Sequence, residues 1–147
     1  MKRWKLLIAA LTAWMATWAQ VRCSAIFSDG MVVQRDAPIP VWGWASEGQQ
    51  VTVTLAGTTR TVKADSEGRW KVYMPKMKAG GPYTLRVGQQ EIKDVMVGDV
   101  FLCSGQSNME LQVKRCMDLV GHKVEGYTNP MVRYVKLPHQ YWGRSVL

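Results

Sequence analysis

The feature that most constrains this chain is a period-two pattern cut into short pieces. From Gln50 to Leu55 it reads Gln-Val-Thr-Val-Thr-Leu, which places Val51, Val53 and Leu55 on one face of a strand. Gly57 allows a tight turn into Thr58–Ala64, and Asp65-Ser66-Glu67-Gly68 is a second turn cluster. Arg69–Met74 alternates again; Gly80-Gly81-Pro82 punctuates before Tyr83–Val87, and Gly88 precedes Gln90–Val97. Pro38–Trp44 adds an earlier β-prone piece. No 3.6-residue period competes, and no internal repeat is found. Short segments at close, regular spacing predict an antiparallel β-sandwich module over residues 25–97.

Trp42 and Trp44 are two positions apart, so a strand puts both on one face. Two readings follow: a platform on which a sugar stacks, or a sandwich core or domain interface. The size of the indole ring favours burial. The module holds no histidine, no outstanding carboxylate pair and no metal-ligand spacing.

The N-terminus has a different character. Met1-Lys2-Arg3-Trp4-Lys5 is followed by an uncharged apolar run from Leu6 to Trp18. A basic start, a short apolar core and small residues near Ala19 predict a Sec-type signal peptide over residues 1–19. The run is too short to span a bilayer, which takes about 20 apolar residues. Arg22 directly before Cys23 fits a lipoprotein signal poorly, so no membrane anchor is expected after cleavage. The expected location is secreted or periplasmic.

Removing the leader changes the charge arithmetic. The chain has 147 residues and a formal net charge of +8. Loss of Lys2, Arg3 and Lys5 leaves 8 − 3 = +5 over 147 − 19 = 128 residues. The remaining cations are scattered without a basic run, which argues against a nucleic-acid partner. With 47% hydrophobic and 20% charged residues, the composition is that of a globular protein. Cys23, Cys103 and Cys116 could pair in an oxidising compartment, but an odd count leaves at least one free. Cys103 is expected as a small buried hydrophobe in its strand.

The chemistry is expected after Asp94. Val100–Cys103 is a continuous apolar run, as in a strand buried on both faces of a parallel sheet. Ser104-Gly105 breaks it. Met109, Val113, Cys116, Met117 and Val120 then recur at helical spacing, with Glu110, Lys114 and Asp118 on another face. The unit is strand, glycine turn, helix, with Ser107 at the junction. There a hydroxyl stands beside the free N–H groups and positive dipole end of a helix, which suit the oxyanion of acyl transfer. Ser107-Asn108-Met109-Glu110 also fits a capping box, in which Ser107 is only the N-cap. Both roles are open from the local sequence, which by itself favours the cap.

The run Gly98-Asp99-Val100-Phe101-Leu102-Cys103-Ser104-Gly105-Gln106-Ser107-Asn108-Met109-Glu110 resembles the nucleophile block of the sialate O-acetylesterase family, a carbohydrate-esterase branch of the SGNH hydrolases. Phe27–Arg35 and Pro40–Ala45 resemble the opening of the β module that precedes that catalytic domain. Asn129-Pro130-Met131-Val132-Arg133-Tyr134 resembles the strand after its first helix. The resemblance implies a flavodoxin-like α/β domain beginning at residue 98. It implies Ser107 as the nucleophile, with the Ser107 backbone N–H in the oxyanion hole and Gly105, Gln106 and Asn108 shaping the turn. The implied reaction is hydrolysis of an O-acetyl ester on a sugar through an acetyl-serine intermediate, without metal or organic cofactor. The implied substrate is an O-acetylated sialic acid or an acetylated polysaccharide.

The family pattern also requires a late Asp-x-x-His that supplies the general base. The histidines here are His122 and His139. Asp118-Leu119-Val120-Gly121-His122 has the wrong spacing, and His139 sits between Pro138 and Gln140 in an expected loop. Residues 98–147 are too few for a doubly wound sheet. The sequence therefore reads as the N-terminal part of a longer enzyme, inactive or nearly so by itself, since the members of a triad act as a unit. The alternative is a secreted, non-catalytic β-sandwich that binds glycan through Trp42, Trp44 or Trp70, or that serves a structural role.

Overall fold

The structure is a computed structural model, which describes residues 21–105, 109, 111–112, 115, 118 and 123–136. The leader expected over residues 1–19 and most of the expected helix lie outside the described residues. What is described is mostly β-sheet; outside the strands, Met109, Asp118 and Lys123–Val124 are helical.

Eight strands form: β1 (Arg22–Cys23), β2 (Val32–Gln34), β3 (Ile39–Trp44), β4 (Gln50–Leu55), β5 (Thr58–Lys63), β6 (Arg69–Met74), β7 (Gly80–Val87) and β8 (Gln90–Gly98). They make a three-stranded sheet ordered β1-β3-β6 and a five-stranded sheet ordered β2-β8-β7-β4-β5. Every pairing is antiparallel except β2 with β8, which is parallel. The alternation explains the layering. Ile39, Val41, Trp70 and Met74 from one sheet join Val51, Val53, Leu55, Leu85, Val87, Ile92 and Val95 from the other in one core.

The turns follow from their residues. Ala56 and Gly57, at φ 48° and 79°, form a two-residue hairpin loop with Leu55 opposite Thr58. Two positive φ values in succession match the right-handed twist of the flanking strands. In the Asp65–Gly68 cluster, Asp65 Oδ1 accepts the N–H groups of Glu67 and Arg69 at 2.9 and 2.8 Å.

Two expectations are corrected. The sheets are not wholly antiparallel, because β2 is too short to announce itself and pairs in parallel with Met96–Gly98. Gly80-Gly81-Pro82 does not separate elements; it opens β7, through a cis Gly81–Pro82 bond and register shifts against β8.

Candidate functional site

The segment that bears Ser107 leaves the sheet at the end of β8, and that exit is held from several sides. The Arg35 N–H donates to the Gly98 carbonyl at 2.9 Å. The Val100 N–H donates to Gln34 Oε1 at 2.9 Å. Arg35 Nε pairs with Asp99 Oδ1 at 2.8 Å. The hydrogen bond and charge of Asp99 raise the Arg35 pKa further. Behind Arg35, Asp36 stands at φ 57° and accepts Lys78 Nζ at 2.7 Å; that bond leads the causes holding its carboxyl below the usual range. Val100 also borders an apolar groove of about 220 Å³ together with Phe27, Met31, Val32 and Pro38.

Beyond Val100 the expected buried strand is not formed. Residues 101–105 carry no regular structure, and Phe101 and Leu102 are 83% and 91% exposed. A strand buried on both faces requires neighbours, and none of the described strands lies alongside. Cys103 is likewise exposed rather than buried, with a free thiol. Gly105 is described, and a Cβ there would lie 2.7 Å from Met109 Cγ, so a larger residue would have to displace the Met109 side chain. Gln106, Ser107, Asn108 and Glu110 lie outside the described residues, as do Cys116, His122 and His139.

Residues 129–134 do not form the expected strand either. Asn129 and Pro130 begin a turn in which Asn129 Oδ1 accepts the Met131 N–H at 2.9 Å. Arg133 then reaches the β sheets. Its Nη1 donates to the carbonyls of Gly30 and Asp94 at 2.9 and 2.7 Å, and its Nη2 pairs with Asp94 Oδ1 at 3.0 Å. Gly30 and Asp94 are at φ 78° and 54°. Sequence reasoning assigned no role to Gln34, Arg35, Asp99 or Arg133. Their partners are up to 103 positions away, and no local signal marks them.

The tryptophans divide. Trp70 is 3% exposed in the core, and Trp42 is half-buried, edge-on to Phe27 at 4.7 Å between ring centroids. Trp44 is 50% exposed, so burial does not extend to it. With Arg69, Lys71 and Asp65, these rings line an open cleft of about 440 Å³. Arg69 is paired with Asp65 and Glu67, while Lys71 Nζ stands 5.0 Å from the Tyr73 ring centre. Among the described residues, no group of three or more His, Cys, Asp or Glu could hold a metal ion.

No protein-family profile matches the chain. It is 35% identical to the sialate O-acetylesterase of Homo sapiens in an alignment 125 residues long that covers 73% of this chain. The Mus musculus sialate O-acetylesterase is 32% identical over 109 residues. This chain is a homologue of the sialate O-acetylesterases. It spans 24% of the length of the human protein. A crystal structure of a carbohydrate acetylesterase from Xanthomonas citri matches 62% of this chain and 22% of that one, at TM-score 0.60 and 48% identity. The sequence resemblance to a carbohydrate esterase family therefore stands on both curated relatives and a solved fold.

Proposed function

We propose that this chain supplies the nucleophile segment of a carbohydrate O-acetylesterase, mounted on a β-sandwich module over residues 25–97. The observation that carries the reading is the 35% identity over 125 residues to sialate O-acetylesterases. In the proposed reaction, Ser107 Oγ attacks the acetyl carbonyl of an O-acetylated sugar while its proton passes to a base. The oxyanion accepts the Ser107 N–H, the sugar hydroxyl leaves with the proton, and water hydrolyses the acetyl-serine. Residues 98–147 belong, in this reading, to a flavodoxin-like α/β unit of the SGNH type. A leader over residues 1–19 would direct the protein to the periplasm or outside the cell.

The 147 residues contain no Asp-x-x-His. The chain by itself is therefore proposed to form acetyl-serine slowly and to turn over little ester, since loss of a triad member removes several powers of ten in rate. The test is incubation of the purified chain with an activated acetyl ester, followed by peptide mass spectrometry. One acetyl group is expected on the Ser107 peptide and none there in Ser107→Ala. Acetylation that spares Ser107 overturns its role. Vigorous acetate release from an O-acetylated sialic acid, abolished by Ser107→Ala, overturns the claim of near-inactivity.

The exposed Trp44 favours a second reading, glycan binding without turnover. The Trp44 indole face can stack on a sugar ring while the Lys71 ammonium in the same cleft donates to the sugar oxygens. Quenching of tryptophan fluorescence by acetylated oligosaccharide, lost in Trp44→Ala, would support it; no binding at millimolar sugar would remove it.

A further inference from the structure

We propose that Gln34, Arg35 and Arg133 are positioning residues that fasten both ends of the Ser107-bearing segment to one edge of the β sheets. The proposal rests on the reading of Ser107 as nucleophile. It gives the β module a task in catalysis: to fix where that segment begins and where the chain returns.

The edge is a continuous zipper between residues 29–35 and 93–100. Asp29 Oδ1 accepts the Lys93 N–H at 2.6 Å, and the Gly30 N–H donates to the Lys93 carbonyl at 3.0 Å. The Met96 N–H donates to the Met31 carbonyl at 2.9 Å, and Val32–Gln34 then pairs in parallel with Met96–Gly98. Gln34 and Arg35 extend the zipper past the end of β8 by holding Val100 and Asp99. The departing chain is thus fixed 107 − 100 = 7 positions before Ser107.

The returning chain is fixed on the other end of the same zipper. The left-handed turns at Gly30 and Asp94 present two carbonyls and one carboxylate, and the Arg133 guanidinium takes all three. Its side chain is 22% exposed, the most covered cation among the ion pairs of the described residues. A planar guanidinium meets three acceptors in fixed directions; an ammonium does not reproduce that fork. Both anchors are held by charge-assisted bonds, and both depend on backbone that is already paired.

The test compares the purified chain with Arg133→Lys, Asp99→Ala and the swapped pair Arg35→Asp/Asp99→Arg. Hydrogen exchange is followed by peptide, alongside the rate at which an activated acetyl ester labels Ser107. Arg133→Lys should speed exchange over residues 127–136 by roughly tenfold, the effect of losing a hydrogen bond of ordinary net strength. Asp99→Ala should do the same over residues 99–105, and the swapped pair should restore protection. Exchange in β4 and β7 should not change, and Ser107 labelling should slow in both single variants. Unchanged exchange in both segments overturns the tether. Faster exchange with unchanged Ser107 labelling overturns the positioning role and leaves the anchors purely structural. If wild-type Ser107 takes no label, the nucleophile reading fails and the positioning role with it. The exchange data then decide separately whether the anchors hold the chain.

Discussion

Gly43→Ala is the most searching single substitution, because the fold demands glycine there for space alone. Gly43 lies inward in β3, between β1 and β6, with Cys23 opposite on one side and Trp70 on the other. It is not among the residues with positive φ, so alanine suits its backbone conformation. A methyl group there, however, would run into the Arg22 carbonyl oxygen and lie 2.8 Å from Trp70 Cζ2. The first obstacle is paired backbone and the second is a core ring, so neither can swing aside. Replacing glycine by alanine restricts the unfolded chain and would stabilise by about 0.4–1 kcal/mol. Overpacking costs about 1–3 kcal/mol. The clash wins, leaving a net loss of about 1–2 kcal/mol. For a module of this size that lowers Tm by about 4–8 °C per kcal/mol, or roughly 5–15 °C. Thermal unfolding followed by tryptophan fluorescence measures it, with Trp42 and Trp70 flanking the site. Hydrogen exchange adds a local readout: the Ser24 N–H, bonded to the Trp42 carbonyl at 3.1 Å, should lose protection as β1 is pushed off. An unchanged or higher Tm with Ser24 still protected would refute the argument. Gly57→Ala is the contrasting control, with open space around it but φ 79°; its cost of about 1–2 kcal/mol is backbone strain, and β1 should stay in place.

Other consequences follow from the same contacts. Leu55→Ala, at a site 2% exposed, should cost about 2–5 kcal/mol in denaturant unfolding, and a loss below about 1 kcal/mol would mean that the core refills the cavity. Burial pushes the Cys23 thiol up to about 11, whereas Cys103 is exposed. At pH 8 iodoacetamide should therefore modify Cys103 about tenfold or more faster than Cys23, and equal rates would contradict the burial. Asp36, Asp65 and Glu91 are held below their usual pKa chiefly by the Lys78 side chain, the Arg69 N–H and the Arg86 side chain respectively. The unfolded chain protonates these carboxylates first, so their contribution is complete above about pH 4–4.5 and is lost as pH falls through the lower folded values. Melting temperature against pH should show that acid-side fall, reduced in Asp65→Asn; a fall of the same size in that variant would remove Asp65 from the account.

The strands were legible where alternation was long. Val51, Val53 and Leu55 share a buried face as their spacing requires, because a pleated backbone sends every second side chain the same way. β1 and β2 were not legible as strands, since two or three residues carry no pattern. The run Val100–Cys103 misled in the opposite way. Its apolar residues suit a two-sided sheet, yet burial needs neighbouring strands, and none of those described adjoins it. Trp44 shows the same limit, because period two fixed a shared face with Trp42 but not how far Phe27 would cover it.

The amino-acid sequence by itself determined the β class and the turns at Gly57 and at Asp65–Gly68, and it pointed to Ser107 as the residue on which the proposed esterase reading depends. Each depends on neighbours a few positions apart, through strand period, left-handed turns and a short motif. Only the tertiary structure decided that Arg133 returns to Gly30 and Asp94, that Gln34 and Arg35 hold Val100 and Asp99, and that Gly43 must lack a side chain. Those contacts join residues 21 to 103 positions apart. Such pairs are set by how two sheets close around one core, a property of the whole chain that no local window contains.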